Sequence, residues 1–141
     1  MSEGRRGHRT RPHTADVRIE AWGPTAAACY EEAVAALVAV FADVSGAPAG
    51  VPHRFAVGPG SPERLLVALL DEVLTALDAD GLVPRAAHVE QRGDTLAGEL
   101  VQVPVGAVQV TGSAAKGVSF EGLRFGPDGR GRWRCRATVD V

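Results

Sequence analysis

The chain predicts an α+β domain in which two helices pack on a mixed, largely antiparallel β-sheet, in the order β-α-β-α-β-β-(β)-β-β. Two stretches before Gly81 repeat apolar side chains at intervals of three and four, the period of a helix with one buried stripe. Shorter stretches elsewhere alternate apolar and polar residues, the period of a half-buried strand. Beyond Gly81 only strands follow, a β-meander after β-α-β-α, which indicates an α+β domain. A chain of 141 residues buries roughly two-thirds of its unfolded surface. That is one core, placed at residues 12–141 behind a basic tail at 1–11.

Each element has a local reason. From Thr14 to Ala21, Ala15, Val17, Ile19 and Ala21 alternate with Asp16, Arg18 and Glu20, giving a strand with one buried face. Gly23-Pro24-Thr25 breaks that pattern, and Pro24 suits a helix entry, where its missing N–H is not needed. Helical spacing follows to Asp43 through Tyr30, Val34, Leu37, Val40 or Phe41 and Val44, with Cys29 a buried small hydrophobe and Glu31 and Glu32 outside. A short strand runs from His53 to Val57 with Phe55 and Val57 inward, closed by Gly58-Pro59-Gly60. Ser61 caps the second helix, Pro62 takes its first position, a leucine stripe from Leu65 to Leu77 is buried, and Gly81 ends it. Ala86–Gln91 and Thr95–Val103 form a hairpin about Arg92-Gly93-Asp94. Gly106–Ala115 fits either a strand or a loop. Gly117–Phe125 alternates through Val118 and Phe120, Gly126-Pro127-Asp128-Gly129 turns the chain, and Trp133–Val141 alternates Trp133, Cys135, Ala137, Val139 and Val141 with Arg134, Arg136, Thr138 and Asp140.

Composition narrows the function. Cys29 and Cys135 belong to no CxxC or Cys/His cluster, so zinc ribbons and disulfide scaffolds lack support and a reducing, cytoplasmic setting is expected. No apolar run approaches membrane length, and MSEGRRGHRTR leads into no apolar signal segment. That basic segment is a solvated tail or an RNA-touching arm, and the net charge of −2 predicts no nucleic-acid face on the rest. His8, His13, His53 and His88 form no zinc-hydrolase motif, and neither GxSxG nor a phosphate-cradling GxxxxGK[ST] occurs. Asp71, Glu72 and Asp78 read as the solvated face of a helix.

Two aspartates stand out by position. Asp16 opens the first strand on its polar side, Asp140 closes the last, and Val141 follows with the chain's own carboxylate. If these strands are neighbours, three carboxylates converge, which like charges tolerate only with a cation or a raised pKa; oxygen donors would select Mg²⁺, Mn²⁺ or Ca²⁺ over zinc. If they are not, the aspartates are separately solvated, and spacing alone leaves both open. A hydrolase using the pair as acid and base lacks a nucleophile beside it. Lys116 is the single lysine in an arginine-rich chain, explained either by codon usage or by a need for a compact ammonium.

Three segments resemble the archease family: His13-Thr14-Ala15-Asp16-Val17 with Ile19 and Gly23, Lys116-Gly117-Val118-Ser119-Phe120 with Gly122-Leu123, and Trp133 to Val141 with its Asp-hydrophobic ending. The resemblance spans about His13 to Val141. It implies a small cytoplasmic accessory protein, not itself an enzyme, for an RtcB-type RNA ligase that joins RNA ends with GTP and Mn²⁺ in tRNA splicing and repair. In that role it would promote guanylylation of the ligase's histidine and multiple turnover, meeting RNA only through the ligase. It also implies, as the alternative, a chaperone-like modulator of a tRNA methyltransferase. The family's metal set maps to Asp16, Asp140 and Val141, holding a divalent Ca, Mg or Mn ion, with Lys116 as a further activating residue and His13 as a supporting neighbour. Pro12 stands where the family motif has an acidic residue, Arg18 where it has glycine, and Glu121 where it has histidine.

Overall fold

A computed structural model describes residues 4–13 and 16–141, with Pro12 and His13 given by backbone alone. Its elements are β1 (Gly7–His13), β2 (Asp16–Gly23), α1 (Ala26–Ala39), β3 (Ala42–Asp43), β4 (Val51–Val57), α2 (Pro62–Asp80), β5 (Leu82–Arg92), β6 (Thr95–Pro104), β7 (Gln109–Val110), β8 (Gly117–Pro127) and β9 (Trp133–Asp140). Two helices on largely antiparallel sheets are therefore present. The strands form a four-stranded sheet β1-β2-β9-β8, a three-stranded sheet β4-β6-β5 and the short pair β3-β7, and all the described pairings are antiparallel.

The helix ends follow their sequence signals. Thr25 Oγ1 accepts the Ala28 N–H at 3.0 Å and caps α1, which leaves Pro24 just before the cap instead of inside the helix. Ser61 Oγ accepts the Arg64 N–H at 3.2 Å, Pro62 fills the first turn of α2, and Gly81 closes it at φ 64°, a left-handed conformation that costs glycine little. The small residues Ala28, Ala33 and Ala36 let α1 sink between the two larger sheets, against β2 and β5. Gly23 marks that close approach, since a Cβ there would lie 2.8 Å from the Cβ of Ala28. Leu65, Leu66, Leu69, Leu70 and Val73 of α2 complete the core, and fully burying each such side chain is worth about 1.5–3 kcal/mol. At its centre the Tyr30 ring stacks on Phe125 at 4.0 Å, and its hydroxyl donates to the Pro62 carbonyl at 2.9 Å.

Several elements depart from the sequence expectation. Residues 7–11, read as part of a tail, belong to strand β1. Its inward positions His8 and Thr10 pair with Ala21 and Ile19 of β2, so the strand carries no apolar alternation by which to recognise it. Glu31 and Glu32, expected outside, reach across to neighbouring strands. Arg6 pairs with both, His8 Nδ1 lies 2.9 Å from Glu32, and Glu31 accepts the Val89 N–H of β5 at 2.9 Å. Phe120, expected inward, is 59% exposed, because register slips between Ser119 and Arg124 and Gly122 turns the bulge at φ 71°. The ambiguous 106–115 segment is a 3-10 turn followed by β7. No described helix is long and apolar enough to cross a membrane.

Candidate functional site

Residues directly opposite across an antiparallel pair share one face of the sheet, and alternate residues along a strand repeat on that face at about 6.7 Å. The outward face of β1-β2-β9-β8 therefore reads as rows. At one end His13 stands opposite Asp16, Asp16 opposite Asp140, and Asp140 opposite Gly117. The next row is Arg11, Arg18, Thr138 and Ser119; then come Arg9, Glu20, Arg136 and Arg124; then Gly7, Trp22, Arg134 and Gly126.

The first row gathers the residues singled out in the sequence. Asp16 and Asp140 are direct cross-strand partners, so their Cβ atoms are expected about 4.5–5.5 Å apart. Oδ1 of Asp16 is closed off from solvent, whereas Asp140 is exposed. The Lys116 N–H donates to the Asp140 carbonyl at 2.7 Å, which brings the lysine to the same end with its side chain exposed. Val141 follows Asp140 directly. The His13 side chain, Thr14 and Ala15 lie outside the described residues. Among the described residues, no three His, Cys, Asp or Glu side chains gather at metal-binding range. Two carboxylates in direct opposition repel, and a hard cation between them suits oxygen donors.

Beyond that row, charge is segregated in a way that an overall balance of −2 conceals. Glu20 pairs with Arg9 at 2.6 Å, Arg11 at 3.6 Å and Arg134 at 3.8 Å, and the Trp22 ring lies between Arg9 and Arg134, 5.5 and 4.9 Å from their guanidinium carbons. Alternation in β9 displays Arg134 outward, but only the pairing of β1, β2 and β9 assembles it with Arg9 and Arg11 around Glu20. Elsewhere, His53 and His88 are exposed on the other sheet. The two cysteines are free and buried. Cys29 Sγ donates to the Ala21 carbonyl at 3.5 Å, and a hydrogen bond with Cys29, together with burial, pushes the Cys135 thiol up.

Residues 8–141 match the model of the archease protein family, and the chain is 41% identical to a "Probable protein archease" of Mycobacterium tuberculosis, with 96% of this chain and 75% of that protein aligned. The chain belongs to the archease family. Among solved structures, it resembles the solution structure of a Methanobacterium thermoautotrophicum protein at a TM-score of 0.74 and 22% identity, covering 96% of this chain and 99% of that one. It also resembles a Thermotoga maritima protein described as an archease and possible chaperone, at a TM-score of 0.64 and 17% identity, covering 93% and 96%. These two likenesses show that the archease fold is shared at low identity.

Proposed function

We propose that this archease is a non-catalytic, cytoplasmic activator of an RtcB-type RNA ligase in tRNA splicing and RNA repair. The observation that most supports this reading is the direct opposition of Asp16 and Asp140 at an exposed sheet end that also carries Lys116. Asp16, Asp140 and the Val141 carboxylate would hold a Ca, Mg or Mn ion, and His13 would support Asp16 from the adjoining strand. The ion supplies positive charge where carboxylates alone would repel a triphosphate. Asp140, at the strand terminus and exposed, can approach a partner's cleft, while Asp16 is set back and anchors the site. Lys116 offers a compact ammonium to phosphate oxygens. RNA ligation with the ligase far below substrate, GTP and Mn²⁺ tests the reading: the wild-type protein should turn a single round into many, and Asp16→Ala should not.

The Phe120 bulge favours a second reading. An exposed aromatic side chain in the strand that begins beside Lys116 suits docking on another protein, consistent with a chaperone-like module for an enzyme such as a tRNA methyltransferase. That reading predicts association without metal dependence and no stimulation of ligation.

A further inference from the structure

We infer that the arginine-rich outward face of the β1-β2-β9-β8 sheet binds the phosphodiester backbone of a nucleic-acid strand without reading its bases. Glu20 is shared among Arg9, Arg11 and Arg134, and Asp128, on the β8–β9 turn, is held by Arg132 at 2.9 Å. Arg18, Arg124, Arg130 and Arg136 have no carboxylate partner among the described residues. Six guanidiniums and two carboxylates line a shallow depression of about 540 Å³ among the described residues, with Arg11 and Arg18 in the neighbouring row, on a chain whose net charge is −2.

Guanidinium forks hold phosphate and carboxylate oxygens alike in bidentate geometry, and two further features favour phosphates over an acidic protein surface. Successive rows repeat at about 6.7 Å along the strands, a spacing on the scale of neighbouring phosphates in one chain. Trp22, the aromatic set among these arginines, is 7% exposed and offers no protruding apolar anchor of the kind found at the centre of a protein interface, and the cation–π contacts of Arg9 and Arg134 instead hold those two guanidiniums in place. The same burial removes the aromatic platform on which bases would stack, so affinity should come from charge alone.

Fluorescence anisotropy of a short labelled oligouridylate, titrated with this protein over a range of salt concentrations, tests the inference without any ligase, so its outcome is independent of ligase activation. Wild-type protein should bind with steep salt dependence, and RNA and DNA of equal length should bind alike. Each neutralised phosphate contributes about −0.7 to the logarithmic salt slope of a single strand, so Arg18→Gln/Arg124→Gln/Arg136→Gln should flatten it by about 2 and weaken binding at least tenfold. A charge-matched control, Arg54→Gln/Arg64→Gln/Arg92→Gln, carries its changes at exposed positions off this face and should keep the wild-type slope. Glu20→Gln should tighten binding, a gain that a folding defect cannot imitate. Equal loss in both triple variants, no salt-dependent binding, or tighter binding of polyglutamate than of the oligouridylate at equal charge would overturn the inference, the last in favour of an acidic protein partner.

Discussion

Asp16 and Asp140 stand directly opposite on adjoining strands, a position in which like charges repel instead of stabilising the sheet. Asp140→Ala should therefore leave stability within about 0.5 kcal/mol of wild type, while calorimetric titration with Mn²⁺ or Ca²⁺ should lose its binding isotherm. Tyr30 shows the opposite balance, because its hydroxyl is committed to the Pro62 carbonyl at 2.9 Å inside the core. Tyr30→Phe keeps the stack on Phe125 and should cost about 1 kcal/mol in urea unfolding, the net worth of one hydrogen bond. Burial raises the Tyr30 phenol, and hydrogen bonding with Cys29 plus burial raises the Cys135 thiol. A folded-state pKa above the unfolded one gives stability that is complete below the unfolded value and lost as pH climbs above it. Unfolding free energy should thus fall from about pH 9 upward, more gently in Tyr30→Phe. The aspartates themselves were legible in the sequence as strand-end carboxylates on a polar face. Their adjacency was not, because it depends on which strands pair.

The helices and most strands were legible because each carries its own signal: the Ser61 cap, Pro62 and Gly81 bracket α2, and alternation marks β2 and β9. Strand β1 carries no such signal, since its inward positions are polar and its order comes from partners distant in sequence. Arg6 and His8 reach Glu32 of α1, and hydrogen bonding to His8, with help from Arg6, lowers the Glu32 carboxyl. A carboxyl lowered in the folded state gives stability that is present above its unfolded pKa and lost as pH falls through the folded value. Amide exchange in residues 7–13 should accordingly quicken below about pH 4.5, while the buried amides of α1 stay protected. Glu32→Gln should produce the same loosening of β1 at neutral pH. Unchanged exchange in β1 would mean that the β2 ladder alone holds the strand. The β8 bulge was equally hidden, for alternation through Val118 and Phe120 gives no hint that register breaks after Ser119.

Across the whole molecule, one sheet face is divided between a carboxylate end and an arginine field, while the helices and the second sheet supply the core behind it. Net charge concealed this division because acidic residues elsewhere offset the arginines, and only the strand order β1-β2-β9-β8 reveals it. The family motifs marked one end of the face, and nothing in local periodicity marked the other. In the proposed role the carboxylate end would act on a partner ligase without chemistry of its own, at the transfer of GMP to the ligase's histidine. The most direct measurement is the initial rate of that transfer from labelled GTP, with limiting divalent metal, in the presence of wild-type protein, Asp16→Ala or Asp140→Ala. The account predicts a rate raised at least tenfold by the wild-type protein and by neither variant, with all three proteins melting alike. Equal stimulation by the variants, or none by the wild type with a ligase from the same organism, would contradict it.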